Sequence, residues 1–134
     1  MNIVVLGGAG KMGAIAVEDL VVNPRVDAVL LADRDMVGAA AISKYLDSPK
    51  LSVAEADLND HTALVEMLEP ADACVNATVY YTNLKVMEAC LEAETHYTDT
   101  VSYTHLRAHE TVVRISYSVL FLKNGGGGGG GGGG

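Results

Sequence analysis

Residues 3–13 read Ile-Val-Val-Leu-Gly-Gly-Ala-Gly-Lys-Met-Gly, and this stretch decides the fold. Its first four residues form an unbroken apolar run, which is typical of a strand covered on both faces of a parallel sheet. The run stops at closely spaced glycines and leads directly into a helical pattern. Gly8, Gly10 and Gly13 fit the G-x-G-x-x-G spacing of dinucleotide-binding strand–turn–helix units. The stretch therefore predicts a nucleotide-binding α/β domain.

Each glycine of this pattern has its own physical task. The first turns the chain tightly, the second lets backbone N–H groups approach a pyrophosphate, and the third lets the helix pack close to the strand. The pyrophosphate is expected at the N–H groups and the positive dipole end of the following helix. The predicted phosphate-binding residues are Gly8, Ala9, Gly10, Lys11, Met12 and Gly13.

Short apolar runs alternate with helical periods along the first hundred residues, which favours right-handed βαβ units and a parallel sheet. The predicted strands are 2–6, 27–32, 51–56, 71–77 and 95–98, and the predicted helices are 11–22, 36–46, 62–68 and 83–93. Asp35 is the expected N-cap of the second helix, and Asn59 or Asp60 that of the third. The fold class is α/β, a Rossmann-type doubly wound parallel sheet truncated after about five strands.

The apolar periodicity also predicts which helical residues face the sheet. The expected inward residues are Met12, Ile15, Ala16 and Leu20; Ala40, Ile42, Tyr45 and Leu46; Leu64, Val65 and Leu68; and Leu84, Met87, Cys90 and Leu91.

Asp33 lies twenty positions after Gly13, at the end of the second predicted strand. A carboxylate there accepts hydrogen bonds from the ribose hydroxyl of NAD and repels the 2′-phosphate of NADP. Arg34 follows directly, and its guanidinium is suited to a 2′-phosphate or to stacking on adenine. A solvated Asp-Arg-Asp turn is the alternative. We predict NAD as the cofactor, with NADP possible.

Two further loops follow predicted strands and are expected near the same ligand. Asp57 could accept from the adenine amino group, and an ordinary turn residue is an equal alternative. The loop that begins at Asn76, Ala77 and Thr78 should pass the ribose and nicotinamide, because ligands bind at the carboxyl ends of such strands. For Asn76 and Thr78, bonding to local backbone is the alternative.

Acidic residues outnumber basic ones, 17 against 9 in the 134-residue chain. Sixteen acidic and six basic residues precede Val101, a formal charge of −10. A surface of this sign repels phosphate backbones and anionic headgroups, so we expect no nucleic-acid partner and no membrane partner.

The spacing of the cysteines and histidines argues against a metal site. Cys74 and Cys90 lack C-x-x-C spacing, which indicates buried thiols in a reducing compartment. His61 and His96 have no partner at metal-ligand spacing. The chain begins with a core strand, leaving no room for a signal peptide, and has no apolar run near the roughly 20 residues of a membrane span. These features predict a cytoplasmic protein without a metal.

Residues 125–134 are all glycine, and such a tract supplies no packed core. Residues 101–111 resemble one translated reading frame of an adaptor used for DNA sequencing libraries, and residues 115–123 resemble the primer sequence that follows it. We therefore predict a Rossmann domain at 1–99 and an adaptor-derived, disordered tail at 100–134. The alternative is a real strand at 112–122 followed by a flexible glycine linker.

The pattern as a whole resembles the cofactor domain of the saccharopine dehydrogenase and lysine 6-dehydrogenase family. The resemblance runs from Met1 to Asp99 and depends on Val-Val-Leu-Gly-Gly-Ala-Gly-Lys-Met-Gly at 4–13, Leu-Ala-Asp-Arg at 31–34, Asp-Ala-Cys-Val-Asn-Ala at 72–77, Asn-Leu-Lys-Val-Met-Glu-Ala-Cys at 83–90 and His-Tyr-Thr-Asp at 96–99. Two positions depart from the family pattern: Glu94 replaces a usual glycine, and Val79 a frequent proline.

The resemblance implies an oxidoreductase that moves a hydride between a nicotinamide and an amino-acid C–N bond. In such enzymes the catalytic groups lie in a following domain, so no catalytic residue is assigned here, and the fragment alone is expected to be inactive. The full-length protein is expected to be a homodimer that binds a small amino-acid substrate. The alternatives are an atypical short-chain reductase, since Gly7, Gly10 and Gly13 also fit G-x-x-G-x-x-G, and a non-catalytic NAD-sensing module.

Overall fold

The computed structural model of the protein describes residues 1–99. The predictions for the tail at 100–134 lie outside the described residues. Within 1–99, strands and helices alternate from the first element to the last.

The described strands form one parallel sheet in the order β3-β2-β1-β4-β5. The strands are β1 (Asn2–Leu6), β2 (Ala28–Asp33), β3 (Leu51–Glu55), β4 (Ala73–Asn76) and β5 (His96–Asp99). The helices are α1 (Lys11–Val21), α2 (Met36–Leu46), α3 (His61–Leu68) and α4 (Asn83–Ala93), with a 3₁₀ turn at Tyr80–Thr82. The strand order reverses at β1, which pairs with β2 on one side and β4 on the other. The predicted Rossmann-type fold is confirmed, and each predicted element lies within two residues of an observed one.

Alternating side chains of the central strands supply two separate cores, one on each face of the sheet. Ile3 and Val5 of β1 join the core under α1 and α2. Val4 and Leu6 join the core under α3 and α4. Each of these four side chains is at most 3% exposed. The apolar run at the start of the chain is therefore explained by burial on both faces, and it leaves the strand ends as the place where polar groups can gather.

The third helix buries the predicted face, whereas the faces of the other helices are rotated from the expected ones. Leu64, Val65 and Leu68 of α3 are buried as predicted. Tyr45 of α2 was expected inside and is 82% exposed. In α2 the buried residue is Ala39, with Ile42 and Leu46 half-buried beside it and Ala40 exposed. In α1 the buried residues are Gly13, Ala16, Val17, Leu20 and Val21, and the expected Met12 and Ile15 are half-buried.

The largest correction concerns α4. The sequence predicts that Leu84, Met87, Cys90 and Leu91 face the sheet, and only Cys90 does. Leu84 is 67% exposed, Met87 46% and Leu91 82%. The buried residues are Val86, Ala89, Cys90 and Ala93. Small side chains on this stripe let the helix lie close to the sheet and to α3, and close packing outweighs the larger apolar area of the leucines.

Replacing Leu91 with serine is expected to change the free energy of unfolding by no more than about 0.5 kcal/mol, because exposed positions carry little burial energy. Urea denaturation of the two proteins measures the difference. Leu68→Ser is the matched control, since Leu68 is fully buried on the neighbouring helix. A large loss from the Leu91 change would mean that the sequence-based face of α4 is the buried one.

The helix ends agree with the predicted capping chemistry. Asp35 Oδ1 accepts the Gly38 N–H at 2.9 Å, and Asp60 Oδ1 accepts the Ala63 N–H at 3.1 Å. Of the two residues predicted as the N-cap of α3, Asp60 is therefore the one that caps it. Glu94 ends α4 in the left-handed region with φ 58°, the conformation for which glycine is usual. The turn is kept although the glycine is absent.

Cys74 and Cys90 are both buried, as predicted, and face each other between β4 and α4. Hydrogen bonding to Cys90, together with burial, holds the pKa of the Cys74 thiol well above its usual range. The Cys74 thiol is therefore protonated at neutral pH and unreactive. Within residues 1–99, no three histidine, cysteine, aspartate or glutamate side chains are grouped so that they could hold a metal ion. None of the helices described is long and apolar enough to cross a membrane.

Candidate functional site

A cleft of about 490 Å³ opens at the carboxyl ends of the strands. Its walls are the glycine loop after β1, the ends of β2 and β3, and the loop between β4 and α4. The strand order reverses beneath it, which is where ligands bind in open α/β sheets. Six of the predicted binding residues line it, namely Gly10, Asp33, Arg34, Asp57, Ala77 and Thr78. The other six, Gly8, Ala9, Lys11, Met12, Gly13 and Asn76, are not among its wall residues.

In the structure, the glycines of this loop have different roles from those that the sequence predicts. The sequence assigns the tight turn to Gly8, but the left-handed conformation belongs to Gly7, with φ +76°. A side chain on Gly7 would also meet the Ala77 carbonyl at 3.0 Å. Gly8 is needed for packing instead, because a Cβ there would lie 2.6 Å from Leu31 Cγ. Gly7 is therefore a member of the site that the chosen spacing missed.

The third glycine performs the predicted packing role, and the second one faces open space. A Cβ on Gly13 would lie 2.2 Å from the Gly7 carbonyl oxygen, so only glycine lets α1 begin against the loop. On Gly10 a Cβ would meet a single atom, the Gly7 oxygen at 3.3 Å, and Gly10 lines the cleft. The space beside Gly10 is therefore available to a ligand that approaches the backbone.

The start of α1 is prepared for an anion. Gly10 is its N-cap and provides no side-chain cap, and the first turn holds no acidic residue. The first N–H groups of a helix have no partner within it, and the helix dipole makes this end positive. In α1 these groups belong to Lys11, Met12 and Gly13. None of these three residues is among the wall residues of the cleft, and their part in binding a pyrophosphate stays a prediction.

Asp33 connects the glycine loop to the end of β2. Its Oδ2 accepts the Ala9 N–H at 3.0 Å and its Oδ1 accepts the Asp35 N–H at 2.9 Å. These bonds fix the carboxylate in the cleft wall, and an ionised carboxylate still has lone pairs for further donors. Arg34 lies beside it on the cleft wall and is exposed. From this position Asp33 can accept from ribose hydroxyls, and that role stays a prediction.

The loop after β3 contributes a second carboxylate, and this loop and α4 each add one residue that the sequence did not place in the site. Asp57 Oδ1 accepts the Asn59 N–H at 2.9 Å. Asn59 Oδ1 in turn accepts from Lys85 Nζ at 2.7 Å, which joins this loop to α4. Asp57, Asn59 and Lys85 all line the cleft. Lys85 is 26 residues away from Asn59 along the chain, and no local pattern shows that they meet.

Asn76 lies beneath the cleft rather than in its wall. It is fully buried, donates to Asn83 Oδ1 at 2.9 Å and accepts the Thr78 N–H at 3.1 Å. The Thr78 hydroxyl is bonded to Asn76 Oδ1 and to the Thr82 hydroxyl. Asn76 therefore makes local contacts of the kind that the sequence offered as the alternative, and its part in binding the cofactor stays a prediction. It holds the loop so that Ala77 and Thr78 reach the cleft.

Comparison with known families agrees with this geometry. The model of the saccharopine dehydrogenase NADP-binding domain matches residues 3–123. The chain belongs to this family. Its cofactor is accordingly a nicotinamide dinucleotide, NAD(P), and the resemblance given by the sequence motifs is confirmed.

This chain matches only part of a longer curated protein. A curated relative, carboxyaminopropylagmatine dehydrogenase of Synechocystis, is 31% identical over 102 residues, which cover 75% of this chain and 26% of the relative. The chain therefore spans about a quarter of the length of the curated relative that it matches.

Solved structures show the same fold. Apo saccharopine dehydrogenase (L-Glu forming) from Saccharomyces cerevisiae matches with a TM-score of 0.65 at 22% identity, covering 73% of this chain and 21% of the yeast one. AtPrR2 with NADP⁺ and (+)pinoresinol matches with a TM-score of 0.61 at 18% identity, covering 72% of this chain and 35% of that one. At these identities, the likeness concerns the fold alone.

Proposed function

We propose that this chain is the cofactor-binding part of an oxidoreductase that uses NAD in preference to NADP and acts on the C–N bond of an amino acid. The observation that carries the cofactor preference is the position of Asp33 in the cleft wall, fixed by the N–H groups of Ala9 and Asp35. Membership of the saccharopine dehydrogenase family and the curated dehydrogenase relative support the reaction class.

The residues of this chain bind and orient the cofactor. The start of α1 and the space at Gly10 receive the pyrophosphate, and Asp33 accepts from the ribose hydroxyls of the adenosine half. Ala77 and Thr78 border the part of the cleft nearer β4, where the nicotinamide half would lie. The bound nicotinamide supplies hydride transfer. Each of these residues positions the cofactor, and none supplies an acid or a base.

The substrate site, the catalytic acid and base, and the dimer interface belong in this proposal to a second domain. The length of the curated relative, about four times the matched segment, supports a second domain. The apolar residues exposed on α4 offer that domain a surface for packing. On this proposal, residues 1–99 alone bind cofactor and turn over no substrate, and the complete protein is a cytoplasmic homodimer.

Titration of the chain with both oxidised cofactors is expected to give a dissociation constant for NADP about tenfold higher than for NAD, since a 2′-phosphate beside the Asp33 carboxylate is repelled. Line broadening of the adenine protons of each ligand in NMR spectra measures both constants, even when binding is weak. Titration at two salt concentrations is the control for charge screening. A preference for NADP would show that Arg34 governs the pocket and would overturn this part of the proposal.

The reaction class requires the complete polypeptide. With NAD present, a saccharopine-type or lysine-type amino acid is expected to be oxidised and to produce NADH, whereas the 2-hydroxy acid of the same skeleton is not. NADH formation with the hydroxy acid alone would contradict action on a C–N bond. Cofactor binding without turnover of any amino acid would favour the NAD-sensing alternative.

A further inference from the structure

Asp57, Asn59 and Lys85 form a polar row along one wall of the cleft, in which Asn59 bonds to Lys85 through its side chain and to Asp57 through its backbone N–H. Lys85 Nζ donates to Asn59 Oδ1 at 2.7 Å, and the Asn59 N–H donates to Asp57 Oδ1 at 2.9 Å. The row connects the loop after β3 with the first turn of α4, and all of its members line the cleft. It therefore places one cation and one anion on the same wall, with Asn59 between them.

The position of Lys85 is unfavourable for α4 itself. It is the third residue of a helix whose first turn contains no acidic side chain. The helix dipole makes this end positive, so a cation here destabilises the helix slightly. The lysine is nevertheless directed to Asn59 and the cleft. The bond to Asn59 ties α4 to the loop after β3, and the same placement presents the lysine to a ligand in the cleft.

The hydrogen-bonding groups on this wall are complementary in type to one edge of adenine. An ionised carboxylate only accepts hydrogen bonds, and an ammonium group only donates them. Adenine presents a donor, its 6-amino group, next to an acceptor, its ring N1. Leu58 and Ala56 line the cleft beside Asp57 and provide apolar contact for a base.

We propose that Lys85, tethered by Asn59, determines base specificity: it donates to N1 of adenine while Asp57 accepts from the 6-amino group. This inference rests on the cofactor site described above and extends it to the choice of base. Asn59 is a positioning residue, since it acts by holding the lysine.

A cofactor with a different base tests this assignment. In nicotinamide hypoxanthine dinucleotide, a carbonyl oxygen replaces the amino group and N1 carries a hydrogen. The carboxylate then faces an acceptor and the ammonium faces a donor, so both contacts are lost. The chain is expected to bind NAD about tenfold more tightly than the hypoxanthine analogue, a typical effect of hydrogen bonds to charged groups.

The variant Lys85→Met keeps the length of the side chain and removes the donor. Its affinity for NAD should fall about tenfold, while that for the hypoxanthine analogue changes less than about twofold, so the preference disappears. Ligand-observed NMR titration of both dinucleotides measures the ratio. The matched control is Lys50→Met, because Lys50 Nζ donates to the Asn23 carbonyl at 3.0 Å beside the amino end of β3, away from the cleft. That variant should keep the preference for adenine.

Two results would overturn the proposal. One is equal affinity of the unchanged chain for both dinucleotides. The other is an equal loss for both in Lys85→Met, which would make the lysine a structural tether only. If Lys85→Met fails to fold, Asn59→Ala provides a second test. It keeps the lysine but removes the side-chain oxygen that holds it, so a smaller preference for NAD over the hypoxanthine analogue is expected. An unchanged preference in a folded Asn59→Ala would also count against the proposal.

The titrations separate this inference from the proposed cofactor preference. The ratio of NAD to the hypoxanthine analogue reports the base, and the ratio of NAD to NADP reports the ribose. A Lys85→Met variant that weakened NADP alone would show that the lysine holds a 2′-phosphate, and would overturn the base assignment.

Discussion

Gly13→Ala is expected to lower the free energy of unfolding of the domain by about 3 kcal/mol or more. The new methyl group would lie 2.2 Å from the Gly7 carbonyl oxygen and 2.7 Å from Gly8 Cα. Both are backbone atoms of the loop that joins β1 to α1, so a rotamer change does not relieve the contact. Overpacking commonly costs about 1–3 kcal/mol, and a backbone clash lies at or above the upper end of that range. Domains of this size have about 5–15 kcal/mol in total.

Urea denaturation followed by circular dichroism measures this loss. Gly10→Ala is the matched control in the same loop, because a Cβ there would touch only the Gly7 oxygen at 3.3 Å. That variant is expected to lose no more than about 1 kcal/mol, the scale of a changed N-cap. It should, however, lose cofactor affinity, since its methyl group occupies the space beside the backbone. Equal denaturation midpoints for the two variants would show that α1 can move away from the loop at little cost.

Asp33→Ala is expected to lower the affinity for NAD by about tenfold or more, because hydrogen bonds to a charged group contribute about 1.5–3 kcal/mol each. The affinity for NADP should fall less, since the repulsion of its 2′-phosphate is removed with the carboxylate. The variant also leaves the Ala9 and Asp35 N–H groups without their acceptor. Titration with both cofactors, with the urea midpoint measured in parallel, separates lost binding from lost stability.

Asp72→Ala is the matched control for this change. Asp72 Oδ2 accepts the Asn2 N–H at 2.7 Å, so it is also a carboxylate that holds the backbone of β1, at the strand's opposite end. Its removal should lower stability and leave the ratio of NAD to NADP affinity unchanged. If Asp33→Ala also left this ratio unchanged, the cofactor preference would have to depend on another residue.

The position of each strand and helix could be predicted because those signals are local. The apolar run before Gly7, the cap at Asp35 and the cap at Asp60 each act within a few residues. The face of α4 could not be predicted in the same way. Its apolar residues occupy two adjacent stripes, and periodicity alone does not say whether Leu91 or Ala93 is buried.

The same distinction between local and long-range signals applies to the candidate site. The glycine pattern and the carboxylate at Asp33 could be predicted because a sequence motif and its residue spacing identify them. The partnership of Asn59 and Lys85 was not visible, since it depends on how α3 and α4 bring the two loops together.

By itself, the sequence determined the order of elements, the two-sided burial of the first strand and the place of the cofactor loop, because hydrophobic period and glycine geometry act over short distances. Only the tertiary structure decided that Gly7 makes the turn, that Asn76 supports the cleft from below, and that Lys85 reaches Asn59. These features depend on contacts between residues distant in the chain. The packing of whole helices on the sheet determines such contacts, and local sequence patterns do not predict that packing.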